Sequence, residues 1–167
     1  MSDSTDRIEK QVVLKASRER VWQAISDARQ FGIWFGVEIA GPFVAGERVS
    51  GRLVPTRVDE ALARKQAPYE GTVFDFFVER IEPPHRFSFR WHPCAVEPGT
   101  DYTQEPTTLI VFTLEEVAEG TRLTITESGF DRVPLARRAA AFAANEEGWR
   151  EQLRLIEKYL AQTAQSA

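Results

Sequence analysis

Residues 133–162 read VPLARRAAAFAANEEGWREQLRLIEKYLAQ, and the rest of the chain is organised around them. Taken at alternating steps of four and three, they give Leu135, Ala139, Phe142, Glu146, Trp149, Leu153, Ile156 and Leu160: apolar residues and one acid on a single stripe. Arg137, Arg138, Glu147, Arg150, Glu151, Arg154, Glu157 and Lys158 fall off it. This is the pattern of an amphipathic helix. Pro134 suits its first turn, where a missing N–H costs nothing. Gly148 weakens it locally, by about 1 kcal/mol relative to Ala. At 1.5 Å per residue such a helix is roughly 40 Å long, so it needs something broad to lie against.

The segments before it supply that surface. Ile8, Val12 and Leu14 share one face of a strand within 7–15. Two short helices are expected next, one begun by Ser17 with Val21, Trp22 and Ile25 inward, one begun by Asp27 with Phe31, Trp34 and Phe35 inward. Turn signals at Gly41-Pro42 and Ala45-Gly46 bracket strands at 37–40 and 47–54. Residues 55–68 are charged and closed by prolines, and read as an insertion or flap with no core of its own. Alternation resumes in 72–81 (Phe74, Phe76, Val78), 86–92 (Phe87, Phe89, Trp91), 107–117 (Ile110, Phe112, Leu114) and 121–128 (Leu123, Ile125, Glu127). The order is one strand, two short helices, six strands and one long helix. Strands joined by short turns make an antiparallel sheet, so the class is α+β, with the long helix covering the apolar face of about seven strands.

The length of 167 residues fits one domain over 7–162, with polar tails at 1–6 and 163–167. A net charge of −4 argues against nucleic acid and anionic membranes as partners. The polar N-terminus has no signal-peptide core, and no apolar run approaches the roughly 20 residues of a membrane span. The lone Cys94 excludes an intrachain disulfide and fits a reducing, cytoplasmic location. No nucleotide-binding glycine loop, nucleophile elbow or zinc-protease motif occurs. His85, His92 and Cys94 match no strong zinc spacing, so neither metal nor other cofactor is expected.

Particular words of sequence carry a resemblance. They are Lys15-Ala16-Ser17-Arg18-Glu19-Arg20-Val21-Trp22, Trp34-Phe35, Gly71-Thr72-Val73, the run from Ile81 through Pro83-Pro84 to Trp91, Gly120-Thr121-Arg122-Leu123-Thr124, Glu127-Ser128-Gly129-Phe130 and Gly148-Trp149. Together they resemble the START-like helix-grip (SRPBCC) superfamily, and within it the activator of heat-shock protein 90 ATPase homologue family. The resemblance implies a curved sheet wrapped round the C-terminal helix, with an apolar cavity between them for a small apolar molecule. It also implies a chaperone as a partner, although the chaperone activators carry a second, N-terminal domain with no counterpart in these residues.

Expected ligand-facing residues are Trp34, Phe35, Phe74, Phe76, Phe87, Phe89, Trp91, Phe112, Phe142 and Trp149, together with Glu127 and Glu146. Rings in such positions usually fill a core, but as a set facing one helix they can line a pocket. An acid on an apolar face must be hydrogen-bonded, paired, protonated or at a wet mouth. Glu127, Glu146 and His92 are therefore also the candidate acid–base groups of a cyclase- or hydrolase-type enzyme, the alternative to a binding protein. Trp149 is expected to pack toward Phe87, Phe89 or Trp91.

Overall fold

The computed structural model describes residues 7–93 and 100–163. Cys94 and the tails at 1–6 and 164–167 lie outside the described residues, whereas Thr163 still belongs to the last helix. Seven strands form one antiparallel sheet in the order β1-β7-β6-β5-β4-β3-β2. They are β1 (Arg7–Leu14), β2 (Val37–Ile39), β3 (Arg48–Leu53), β4 (Val73–Glu82), β5 (Arg86–Trp91), β6 (Thr108–Val117) and β7 (Gly120–Ser128). Two short helices, α1 (Arg18–Ser26) and α2 (Ala28–Phe35), follow β1; α3 (Glu60–Gln66) lies between β3 and β4; α4 (Leu135–Thr163) closes the chain.

Local chemistry sets the element boundaries. The Ser17 hydroxyl accepts from the Arg20 N–H and starts α1, and the Asp27 carboxylate accepts from the Arg29 N–H and starts α2. Gly36 ends α2 with φ +97°, where a Cβ would lie 2.8 Å from the Val54 carbonyl oxygen. In β7 alternate residues Thr121, Leu123, Ile125 and Glu127 are buried, and in β6 Thr108, Ile110, Phe112 and Leu114. Two-residue hairpin register, Val117 opposite Gly120, puts both sets on the same inner face.

The helix stripe holds over its C-terminal half and fails over its N-terminal half. Trp149, Leu153, Ile156 and Leu160 are buried, but Leu135 is 78% exposed and Ala139 is exposed. Phe142 is half-buried, its ring 5.2 Å from that of Phe130. A strict three-four alternation drifts by about 20° per heptad against a 3.6-residue helix. Traced back from Trp149, the inward positions become Asn145 and buried Ala141, not Glu146 and Phe142. The first turns are held from the side, where the Arg137 guanidinium donates to Glu105 at 2.7 and 3.0 Å and to the Pro93 carbonyl at 3.1 Å, over the Tyr102 ring.

The segment 55–68 is not a free flap. Val58 and Leu62 are buried, and the Thr56 hydroxyl donates to the Trp34 carbonyl at 2.9 Å. Gln66 donates to the Phe35 carbonyl and accepts from the Thr56 N–H. Gln162 donates to the Val58 carbonyl, and Lys158 pairs with Asp59. The segment straps the C-terminal end of α2 to the second half of α4. Most of its charged residues are exposed, and hydrogen bonds from Thr56, Gln66 and Gln162 to backbone carbonyls hold it in place.

Candidate functional site

Glu127 is the last inward residue of β7 and is 0% exposed. Sheet register builds its surroundings. Glu127 lies opposite Ile110 and, two residues earlier on β6, Thr108 lies opposite Trp91 of β5. Trp91, Thr108 and Glu127 thus meet at one end of the inner face. Helix α4 crosses above them and adds Asn145 and Trp149, four residues apart on one side of the helix.

All four neighbours donate to the carboxyl group. Oε1 accepts from Trp149 Nε1 at 2.8 Å and from Asn145 Nδ2 at 3.0 Å. Oε2 accepts from Thr108 Oγ1 at 2.6 Å, Trp91 Nε1 at 2.9 Å and Asn145 Nδ2 at 3.0 Å. Burial pushes the carboxyl above the ordinary glutamate range, and the four donors offset only part of that effect. No cation touches it among the described residues; it is held by neutral donors alone.

The carboxyl group in turn orients two indoles. Trp91 and Trp149 stack at 5.6 Å with 22° between their planes, and Phe35 lies 6.1 Å from each. These three rings, with Asn145, Gly148 and Gln152, line a recess of about 160 Å³ between α4 and the sheet. An added Cβ at Gly148, one of the lining residues, would meet nothing within 4 Å. Gln152 Nε2 donates to the Phe35 carbonyl at 3.1 Å, while its Oε1 is buried and accepts nothing among the described residues. An orphaned buried acceptor costs about 1–3 kcal/mol.

The other expected residues lie elsewhere. Trp34, Phe76, Phe87, Phe89 and Phe112 are fully buried and pack on one another and on Phe31. Phe74 packs at the edge of this cluster, 5.0 Å from Phe76. Glu146 is not on the inner face: its side chain is 45% exposed and 3.5 Å from Lys10 on β1. His92 shares a hydrogen bond with the Glu105 carbonyl at 3.0 Å, and its ring meets the Phe77 edge. Two larger clefts, of about 860 and 630 Å³, are lined respectively by α2 with residues 37–43 and 54–57, around Arg29 and Arg57, and by α1, α2 and the end of α4, around Arg20 and Tyr159. Neither is lined by the buried acid or the indole pair.

Of the residues expected to face a ligand, Glu127, Trp91, Trp149 and Phe35 lie together here, beside Thr108, Asn145, Gly148 and Gln152, which the sequence pattern did not single out for this place. The signal was present in α4: Asn145, Trp149 and Gln152 are spaced i, i+4, i+7, a second stripe beside the apolar one. No group of His, Cys, Asp and Glu able to hold a metal occurs among the described residues.

Among curated proteins, none matches this sequence. Solved structures share its fold. A protein of Arthrobacter aurescens aligns with TM-score 0.73 and 19% identity, over 96% of this chain and 90% of that one. The Aha1 dimer of Colwellia psychrerythraea aligns with TM-score 0.62 and 19% identity, over 90% of this chain and 92% of that one. DynU16, a protein from the dynemicin biosynthetic locus, aligns with TM-score 0.65 and 26% identity over 93% of this chain, which spans 47% of DynU16. Residues 15–161 match the family described as Activator of Hsp90 ATPase homolog 1-like protein, from the end of β1 almost to the end of α4. With the helix-grip arrangement of sheet and closing helix, that match places the chain in the Activator of Hsp90 ATPase homolog 1-like family.

Proposed function

We propose that this protein binds a small apolar molecule in the recess between α4 and the sheet. The observation that carries this reading is the recess itself, lined by the rings of Phe35, Trp91 and Trp149 beside Asn145, Gly148 and Gln152. A volume of about 160 Å³ matches the size of a cavity that takes one benzene ring. The occupant is therefore a single-ring compound or the terminal group of a longer one, not an enclosed lipid chain. The single cysteine supports a reducing cytoplasm as the place where it acts.

Catalysis is the weaker reading. A general base needs a free lone pair within hydrogen-bond reach of the substrate proton, and the Glu127 oxygens already accept five hydrogen bonds. Glu146 faces Lys10, and His92 is bonded to the loop. The family match supports Hsp90 as a further candidate partner. Stimulation of Hsp90 ATPase by the purified chain tests it, and no stimulation together with no co-purification rejects it.

Gly148→Leu provides the test of the binding reading. Its side chain enters open space, so the protein is expected to fold with unchanged or raised thermal stability. Single-ring aromatic compounds that raise the melting temperature of the wild type are expected to have no effect on the variant. Equal shifts in both proteins would place binding elsewhere and reject the reading.

A further inference from the structure

We infer that the cleft lined by α1, α2 and the end of α4 is a second site, which binds a soluble phosphate monoester through Lys15, Arg20 and Arg29. It shares no lining residue with the recess at Trp149 and does not rest on the function proposed above.

Three cations, Lys15, Arg20 and Arg29, and one acid, Asp27, line this cleft of about 630 Å³. Lys10, Arg18, Arg48 and Arg52, by contrast, each face a carboxylate. Among the described residues, no acid forms an ion pair with Lys15, Arg20 or Arg29. The one acid of the cleft is already engaged, because the Asp27 carboxylate accepts from the Arg29 N–H at 2.9 Å and starts α2. In a protein of net charge −4, the cleft thus holds an excess of two positive charges. That is nearly the charge, of opposite sign, that a phosphate monoester carries at neutral pH.

The cationic ends converge on the floor of the cleft. Tyr159 of α4 is buried there, its ring centre 5.4 Å from the Arg20 guanidinium carbon, and its hydroxyl donates to Gln30 Oε1 at 2.9 Å. Burial pushes that hydroxyl above the ordinary tyrosine range; the Arg20 charge opposes the rise, Asp27 adds to it, and Arg29 opposes it again. Arg20 and Arg29 therefore hold their charges near one buried hydroxyl. Because Gln30 Oε1 is taken by Tyr159, what this amide offers a ligand is its N–H donors. Arg20 likewise keeps donors beyond the one given to Thr163. Guanidinium and amide donors suit phosphate oxygens, which accept several charge-assisted bonds at once. A phosphate group fills only part of the cleft and leaves room for an organic body beside Ile33 and Leu160. The net charge of −4 opposes approach to an anionic bilayer, so the source is a soluble ester and not a lipid headgroup.

The test uses the intact protein with methyl phosphate and methyl sulfate, which are nearly equal in shape and differ by one charge at about pH 8. Neither carries a ring, so the recess at Trp149 does not compete for them. Binding is followed by NMR at the side-chain amide signals of Gln23 and Gln30, with Gln11 and Gln66, outside the cleft, as controls. Methyl phosphate is expected to shift the Gln23 and Gln30 signals with an affinity about fivefold above that of methyl sulfate. Arg29→Gln and Lys15→Gln are each expected to weaken it about fivefold, the worth of one exposed ion pair. Arg57→Gln removes the same charge outside this cleft and is expected to leave the affinity unchanged, while melting temperatures confirm that each variant is folded. An equal loss in Arg57→Gln and Arg29→Gln would trace the effect to overall charge and overturn the site. Equal affinity for the two probes, or no shift with either, overturns it as well. The protein is expected to stay in solution when phosphatidylcholine vesicles carrying phosphatidic acid are sedimented; co-sedimentation that Arg29→Gln abolishes would overturn the soluble source.

Discussion

Glu127 keeps its place because four side chains donate to it, and replacing it by glutamine turns one acceptor into a donor. Whichever way the new amide is placed, an indole or hydroxyl donor is left facing an N–H group. Glu127→Gln is expected to lower the unfolding free energy by about 1–3 kcal/mol, measured by urea denaturation. The difference between wild type and variant carries a pH signature. Because burial raises the folded-state pKa of Glu127, the folded protein holds this proton more tightly than the unfolded chain. Stability from this group is complete below the ordinary glutamate range and is lost as pH rises through the raised folded value. The advantage of wild type over Glu127→Gln should therefore shrink with rising pH across that window; a constant or growing advantage would contradict the raised pKa. Gly148→Ala, by contrast, is expected to stabilise by about 0.5–1 kcal/mol, because it removes backbone freedom and meets no neighbour. Alternation in 121–128 made Glu127 legible as an inward acid. Glu146 was misread as inward because one residue along a helix turns a side chain by 100°, and a stripe two residues wide cannot say which of Asn145 and Glu146 faces the sheet.

At the scale of elements, α4 does two jobs with two halves. From Asn145 onward it packs on the sheet and on α2; before that it is pinned by Arg137 and Phe142. Trp149 joins the halves to the sheet through contact with Trp91, Phe35 and Phe112. Trp149→Ala is expected to cost about 3–5 kcal/mol in urea unfolding, since a buried ring and one hydrogen bond to Glu127 are lost together. The strap across 55–68 makes a smaller but separable contribution. Leu62 is its deepest anchor on α3, and Leu62→Ala is expected to cost about 2 kcal/mol while leaving the recess intact. A variant as stable as wild type would show that the strap floats. Strands and long helix were readable because their periods repeat over many residues. The strap was not, because only Val58 and Leu62 turn inward within a charged segment, and its remaining ties are hydrogen bonds to backbone that leave no trace in hydropathy.

For the whole molecule, strand order decides how the fold closes. The first strand pairs along its full length with the last, from Arg7 opposite Ser128 to Leu14 opposite Thr121. These partners lie more than a hundred residues apart in sequence, so closure depends on contacts of high loop entropy. Removing residues 1–14 leaves β7 with a bare inner edge and strips Ile8 and Leu14 from the core. The truncated chain is expected to lose its near-ultraviolet circular dichroism and its single cooperative urea transition, retaining only part of its helical signal. Antiparallel order and the side covered by α4 followed from short turns and alternating faces. The amount of space left inside did not, because a pattern tells which residues face one another but not whether their surfaces meet. Here most of them do: Phe76, Phe89 and Phe112 pack in contact, and a recess of about 160 Å³ remains beside Phe35, Trp91, Trp149 and Gly148.

The stacked indoles of Trp91 and Trp149 also have an optical consequence. At 5.6 Å and 22° their electronic transitions are coupled, so the pair should produce a two-signed exciton band in the ultraviolet circular dichroism of the folded protein. Trp22 and Trp34 lack such a partner indole, and substituting either should leave the couplet in place. Trp91→Phe or Trp149→Phe should erase it, and an occupant that parts the two rings should reduce its amplitude in proportion to occupancy, giving the molecule a label-free gauge of its own recess.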